Sequence, residues 1–91
     1  MRATNGVARL AAEDREVIKH LATRERQLVE LLAVDPSRVY SKTELARSLS
    51  QGMPRLYSNR QIDTWASRAR RALNGRLVVN IWGVGYRLMD Y

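Results

Sequence analysis

Arg60, Arg68, Arg70 and Arg71 crowd the segment SNRQIDTWASRARRALNG (58–75), together with Ile62, Ala66, Ala69 and Leu73. The apolar four step by 4, 3 and 4, which places them on one helical stripe and leaves the arginines on the other faces. A guanidinium offers its donors as a planar fork that fits a phosphate or the O6/N7 edge of a guanine. Charge is uneven along the chain. Residues 1–54 hold nine basic and seven acidic side chains, a net of +2; residues 55–91 hold seven arginines against Asp63 and Asp90, a net of +5. Basic surface of this kind concentrates near phosphates and releases their counterions, so a polyanionic partner is expected. A basic protein without such a partner is the alternative. Catalysis is not expected: there is no cysteine, His20 is the one histidine, and Glu13, Asp14 and Glu16 read as a solvated turn. On the same grounds no metal and no cofactor is expected. No apolar run approaches the roughly 18 residues of a membrane span, and no signal-peptide core opens the chain. A cytoplasmic, nucleoid-associated location without a membrane partner follows as the expectation.

Elements must hold these side chains in place. Residues 1–6 (MRATNG) read as a loose terminus and 7–91 as one small domain. Residues 7–22 read as two short strands, VARL and EVIKHL, around the turn AAEDR. A helix is the alternative there, because Ile18, Ala22, Val29 and Leu32 fall at helical spacing. Thr23 is placed to N-cap a helix RERQLVELLAVD, which Pro36 ends. SKTE (41–44) has the pattern of a capping box and opens a second helix with Leu45 and Leu49 inward. Gly52 and Pro54 break the chain, so 51–57 (QGMPRLY) is a loop. Ser58 or Asn59 caps the third helix, and Asn74-Gly75 stops it. RLVVN and YRL then form a hairpin around a glycine-containing turn. The predicted fold class is α+β: a winged helix-turn-helix of three helices, with a C-terminal β-hairpin wing and a shortened N-terminal strand region.

Three stretches carry a family resemblance. LATRERQLVELLAVDPSRVYSKTEL (21–45), RQIDTWASRARRAL (60–73) and GVGYRL (83–88) together resemble the DNA-binding effector domain of OmpR/PhoB-type bacterial response regulators. The first resembles that family's first helix, linker and start of the second helix. The second is similar to its recognition helix, and the third to its wing signature. There are departures. Arg26 stands where the family's first helix usually has an aromatic, Trp65 where the recognition helix often has histidine, and Trp82 where the wing often has arginine. The family usually has a four-stranded N-terminal sheet, for which about twenty residues leave room for one hairpin. These 91 residues contain no receiver domain; if they are the whole protein, concentration or a partner is the expected control in place of phosphorylation.

The resemblance implies a bacterial or phage transcriptional regulator that binds double-stranded DNA sequence-specifically. Residues 58–73 would lie in the major groove, with 76–88 as a wing. Arg68, mid-helix on the polar face, is the expected base reader, against a role on phosphates alone. Gln61 can pair with adenine and the Thr64 methyl can touch thymine, or both are polar filler; Ser67 joins this set. Arg70 and Arg71 are expected on phosphates. Arg60 either touches DNA or pairs with Asp63. Trp65 can touch DNA or pack at the core edge. Trp82 can contact a deoxyribose or wedge into a groove, or it can pack under the wing. Asn80 and Arg76 are further candidates for phosphate or the minor groove. In proteins of the resembled type the loop at 51–57 can contact RNA polymerase, with a connector tucked onto the core as the alternative here, and binding as a dimer or in tandem is common. Competing functions are a recombination, excision or architectural DNA-binding factor, and a polymerase-binding module with the same fold.

Overall fold

The structure, a computed structural model, describes residues 6–88. Its core rests on three helices. α2 (Thr23–Val34) buries Leu28, Val29, Leu32 and Ala33. α3 (Lys42–Leu49) buries Leu45, Ala46 and Leu49. α4 (Asn59–Ala72) buries Ile62, Ala66 and Ala69. The two alanines of α4 let its backbone approach α2 and α3 closely. Leu73, just past α4, closes the buried stripe. The expected capping box opens α3: Glu44 N–H donates to Ser41 Oγ at 3.0 Å and Ser41 N–H to Glu44 Oε1 at 2.9 Å. The Ser41 backbone bond, first among several causes, holds the Glu44 carboxyl below its ordinary pKa.

The N-terminal region differs from the expected strands. Gly6–Arg9 is a 3-10 turn and Ala12–Lys19 is a helix, α1, so the described residues hold four α-helices in all. In so short and alanine-rich a stretch the apolar residues fit either period. The charges favour the helix, with Glu13 and Asp14 in the first turn and Lys19 in the last. Asp14 and Ile18, four residues apart, then face inward together. Of the loose terminus expected at 1–6, residues 1–5 lie outside the described residues. Gly6 is not loose: it opens the 3-10 turn, buried against Ala33, whose carbonyl oxygen would lie 1.7 Å from any Cβ at this position. Thr23, expected to cap α2, is its first helical residue. Leu21 is drawn into the core, and Ala22 stands at the cap position without a side-chain bond.

The sheet has three strands. β1 is Tyr40–Ser41, β2 is Val78–Ile81 and β3 is Gly85–Leu88; their order is β1-β3-β2 and all pairings are antiparallel. β2 and β3 are the expected hairpin. Asn80 pairs with Tyr86 and Ile81 with Gly85. β1 was not expected, since two residues carry no readable alternation. It joins β3 through Tyr40↔Tyr86 and Ser41↔Gly85, so one residue, Ser41, both pairs in the sheet and caps α3. Leu88, Val78 and Tyr86 turn the sheet's inner face to the helices.

Candidate nucleic-acid interface

α4 starts from a second capping box. Gln61 N–H donates to Ser58 Oγ at 3.1 Å, and Ser58 N–H to Gln61 Oε1 at 2.8 Å. Burying Ile62, Ala66, Ala69 and Leu73 turns the remaining faces outward. Arg60, Thr64, Ser67, Arg68 and Arg71 are all exposed and line one shallow concavity together with Asp63. Arg70 lies round the helix from them. With Ser67, Val78, Asn80 and Tyr86 it lines a second cleft, where α4 meets the hairpin. The two concavities share Ser67, so the exposed side of α4 runs without a break onto β2.

The structure sorts the expected site residues. Arg60 does not pair with Asp63. Asp63 is taken by two other groups: Lys42 Nζ, 3.0 Å from Oδ1 and 3.2 Å from Oδ2, and the Tyr86 hydroxyl, which donates to Oδ1 at 2.6 Å. Among the described residues no ion pair is formed by Arg60, Arg70 or Arg71, so their guanidinium groups face solvent. Arg68 is 67% exposed, with Nη1 4.0 Å from Oε2 of Glu25, a largely buried carboxylate on α2. At that distance the two make an ion pair without a hydrogen bond, and the guanidinium stays largely in solvent. Gln61 is exposed, but its Oε1 is engaged by the cap. The Thr64 hydroxyl donates back to Arg60 C=O at 3.0 Å, which leaves the methyl group as its outward surface. Asn80 is half-buried beside Arg70.

The two tryptophans have opposite fates. Trp65 is half-buried and meets Tyr57 edge to face, centroids 4.9 Å apart, so it packs at the core edge. Tyr57 is held in turn by Arg24, whose Nε donates to its hydroxyl at 2.9 Å, and by its own N–H bond to Ser50 Oγ at 2.8 Å. Trp82 does not pack under the wing; it is 87% exposed at the hairpin tip. The loop before α4 is likewise outside the core, with Met53 and Leu56 exposed and only Tyr57 half-buried.

Two readings need correction. Asp14 does not belong to a solvated turn: it is buried and ion-paired with Arg76. Arg76 thereby ties α1 to the start of the hairpin, while half of its side chain stays exposed. Sequence reasoning also missed Lys42 and Tyr86, which hold Asp63, and Glu25, which lies near Arg68. Each lies distant in the chain from its partner, and no local spacing signals it.

The Asp63 contacts carry a pH dependence. Burial acts to raise its pKa; the Tyr86 hydrogen bond and the Lys42 charge outweigh this and lower it. Burial first, and then Asp63, raise the Tyr86 phenol far above its ordinary value, so it stays a donor. A lowered folded-state carboxylate pKa stabilises fully above the unfolded value, about 3.9, and the stabilisation disappears as pH falls through the folded value. Asp63→Asn should therefore unfold at lower temperature than wild type at pH 7, with a smaller gap at pH 3. Thermal unfolding at both pH values checks this; a gap independent of pH would show that the carboxylate charge contributes nothing.

Residues 14–88 match the family described as "Transcriptional regulatory protein, C terminal". No curated protein matches the chain.

Proposed function

Since the chain belongs to the family of transcriptional regulatory protein C-terminal domains, we propose that it binds duplex DNA sequence-specifically and regulates transcription, with α4 in the major groove and the β2–β3 hairpin beside it as a wing. The observation that carries this reading is the outward face of α4. Arg60, Thr64, Ser67, Arg68 and Arg71 share it, and Arg60 and Arg71 stand free of acidic partners among the described residues. Like charges at helical spacing, as at Arg68 and Arg71, repel one another, and a polyanion lying against them relieves this. Arg68, largely exposed mid-helix, reads a guanine edge. Thr64 offers a methyl to thymine. Arg60, Arg70 and Arg71 hold phosphates and set the register. Met53 and Leu56, exposed on the loop beside the start of α4, favour that loop as the contact for RNA polymerase.

Selection of sites from random duplex DNA, repeated with Arg68→Ala, tests the reading. One motif should be enriched by the wild type. The variant should lose a single base preference, since a bidentate arginine–guanine contact gives about 1–3 kcal/mol of discrimination. On the enriched duplex, log affinity should fall linearly with log salt, with a slope of about −4 to −5 if four to six phosphates are neutralised. Failure to enrich any motif, with the same weak binding by both proteins, rules out direct readout by α4.

A further inference from the structure

Trp82 is the only exposed aromatic side chain among the described residues, and Val84 beside it is 53% exposed. A tryptophan is a large apolar surface to leave in water, and its usual fate is burial. This one is not on a loose loop. Val84 N–H donates to Ile81 C=O at 3.0 Å and closes the turn, with Gly83 between them at φ +79°. Below the turn, β2 and β3 pair from Ile81↔Gly85 down to Val78↔Leu88, so the stem is a regular ladder. The indole thus stands on a narrow, braced tip. Residues 76–88 contain two arginines and no acidic residue, so nothing in the stem repels a phosphate backbone. Asn80, two residues before Trp82, shares a cleft with Ser67 and Arg70 of α4, which makes the tip an extension of the same basic side.

An indole cannot grip a phosphate. What it can do at a duplex is stack on a sugar, or enter the minor groove and push apart neighbouring base pairs. That groove is about 6 Å wide, suited to one ring and not to a helix. Resting on the reading of α4 as a DNA-binding helix, we propose that Trp82, flanked by Val84, inserts into the minor groove next to the α4 site as an apolar wedge and bends the duplex there. The cost of unstacking is lowest at flexible pyrimidine–purine steps such as TA and CA. The wedge therefore adds a preference at a step that α4 does not touch. It also makes the wing's contribution to affinity independent of salt, unlike that of an arginine at the same place.

The experiment uses the duplex enriched by the selection above, labelled at its two ends with a donor–acceptor pair. Wild-type binding should bring the ends closer together. Trp82→Ala should bind about tenfold more weakly, as expected for one lost aromatic–base contact. It should leave the ends as far apart as in free DNA and keep the wild-type salt slope. Trp82→Phe should retain the bend. Trp82→Arg should leave the DNA straight and steepen the slope by about one, the mark of an added phosphate contact. Wild-type affinity and bend in Trp82→Ala would overturn the wedge. So would a loss seen only on DNA with two adjacent sites, which would assign the tip to contact between copies of the protein. If the wild type binds no duplex, the DNA reading and the wedge fall together; if it binds and Trp82→Ala equals it, only the wedge falls.

Discussion

Replacing Arg60 and Arg71 together with alanine weakens duplex binding about a hundredfold at 0.1 M salt and makes the salt dependence shallower by about two. The two residues bracket the outward face of α4, three turns apart, and neither is held by an acid among the described residues. Asp63, the acid nearest Arg60 in sequence, is committed to Lys42 and Tyr86. Each phosphate neutralised releases about 0.9 of a counterion, and at 0.1 M salt this corresponds to nearly tenfold in affinity per contact. Two lost contacts multiply. Stability should change little, because both side chains are exposed and removing them opens no cavity. Titration of the enriched duplex at several salt concentrations gives both numbers at once. An unchanged slope would mean that these arginines face solvent in the complex, and the major-groove placement of α4 would be wrong.

Gly85→Ala lowers the unfolding temperature by roughly 10–20 °C, the consequence of about 2–3 kcal/mol of overpacking in a domain of this size. A Cβ at Gly85 would sit 1.9 Å from the Tyr40 carbonyl oxygen and 2.9 Å from Ser41 Cα, both backbone atoms of β1. A flexible side chain could swing aside; a strand cannot. Moving β1 also disturbs Ser41, which caps α3, and Lys42, which reaches Asp63 on α4. One methyl group thus reaches the seating of α4 through two short covalent steps. Gly83→Ala is the informative contrast. Nothing lies within 4 Å of a Cβ there, so only the strain of φ +79° remains, about 1 kcal/mol. Thermal melts of the two variants decide: equal small losses would mean that β1 yields easily and does not brace the wing.

Much of the fold was legible because its signals are local. Ser41-x-x-Glu44 and Ser58-x-x-Gln61 lie within one turn, so the capping boxes that start α3 and α4 follow from spacing alone. The stripe Ile62, Ala66, Ala69 and Leu73 predicted both the existence of α4 and the side that it buries. The glycine-bounded hairpin was equally plain. The N-terminal region was not. Its apolar residues fit periods of 2 and 3.6 alike, and what decides for helix is Ile18 reaching the core while Asp14 meets Arg76, 62 residues away.

By itself the sequence determined the class of the domain and which helix carries the basic face. Those follow from side-chain periodicity, turn residues and charge, all of which act within a few residues. Only the tertiary structure decided the fate of each candidate. Trp65 and Trp82 look alike in sequence, yet one is packed on Tyr57 and the other is left at the hairpin tip. Arg60 and Arg76 are both basic, yet Arg76 is claimed by Asp14 while Arg60 is released because Lys42 and Tyr86 claim Asp63. The reason is that an ion pair or an aromatic contact depends on distance in space. That distance is set only when helices far apart in the chain pack into one core and carry their side chains together.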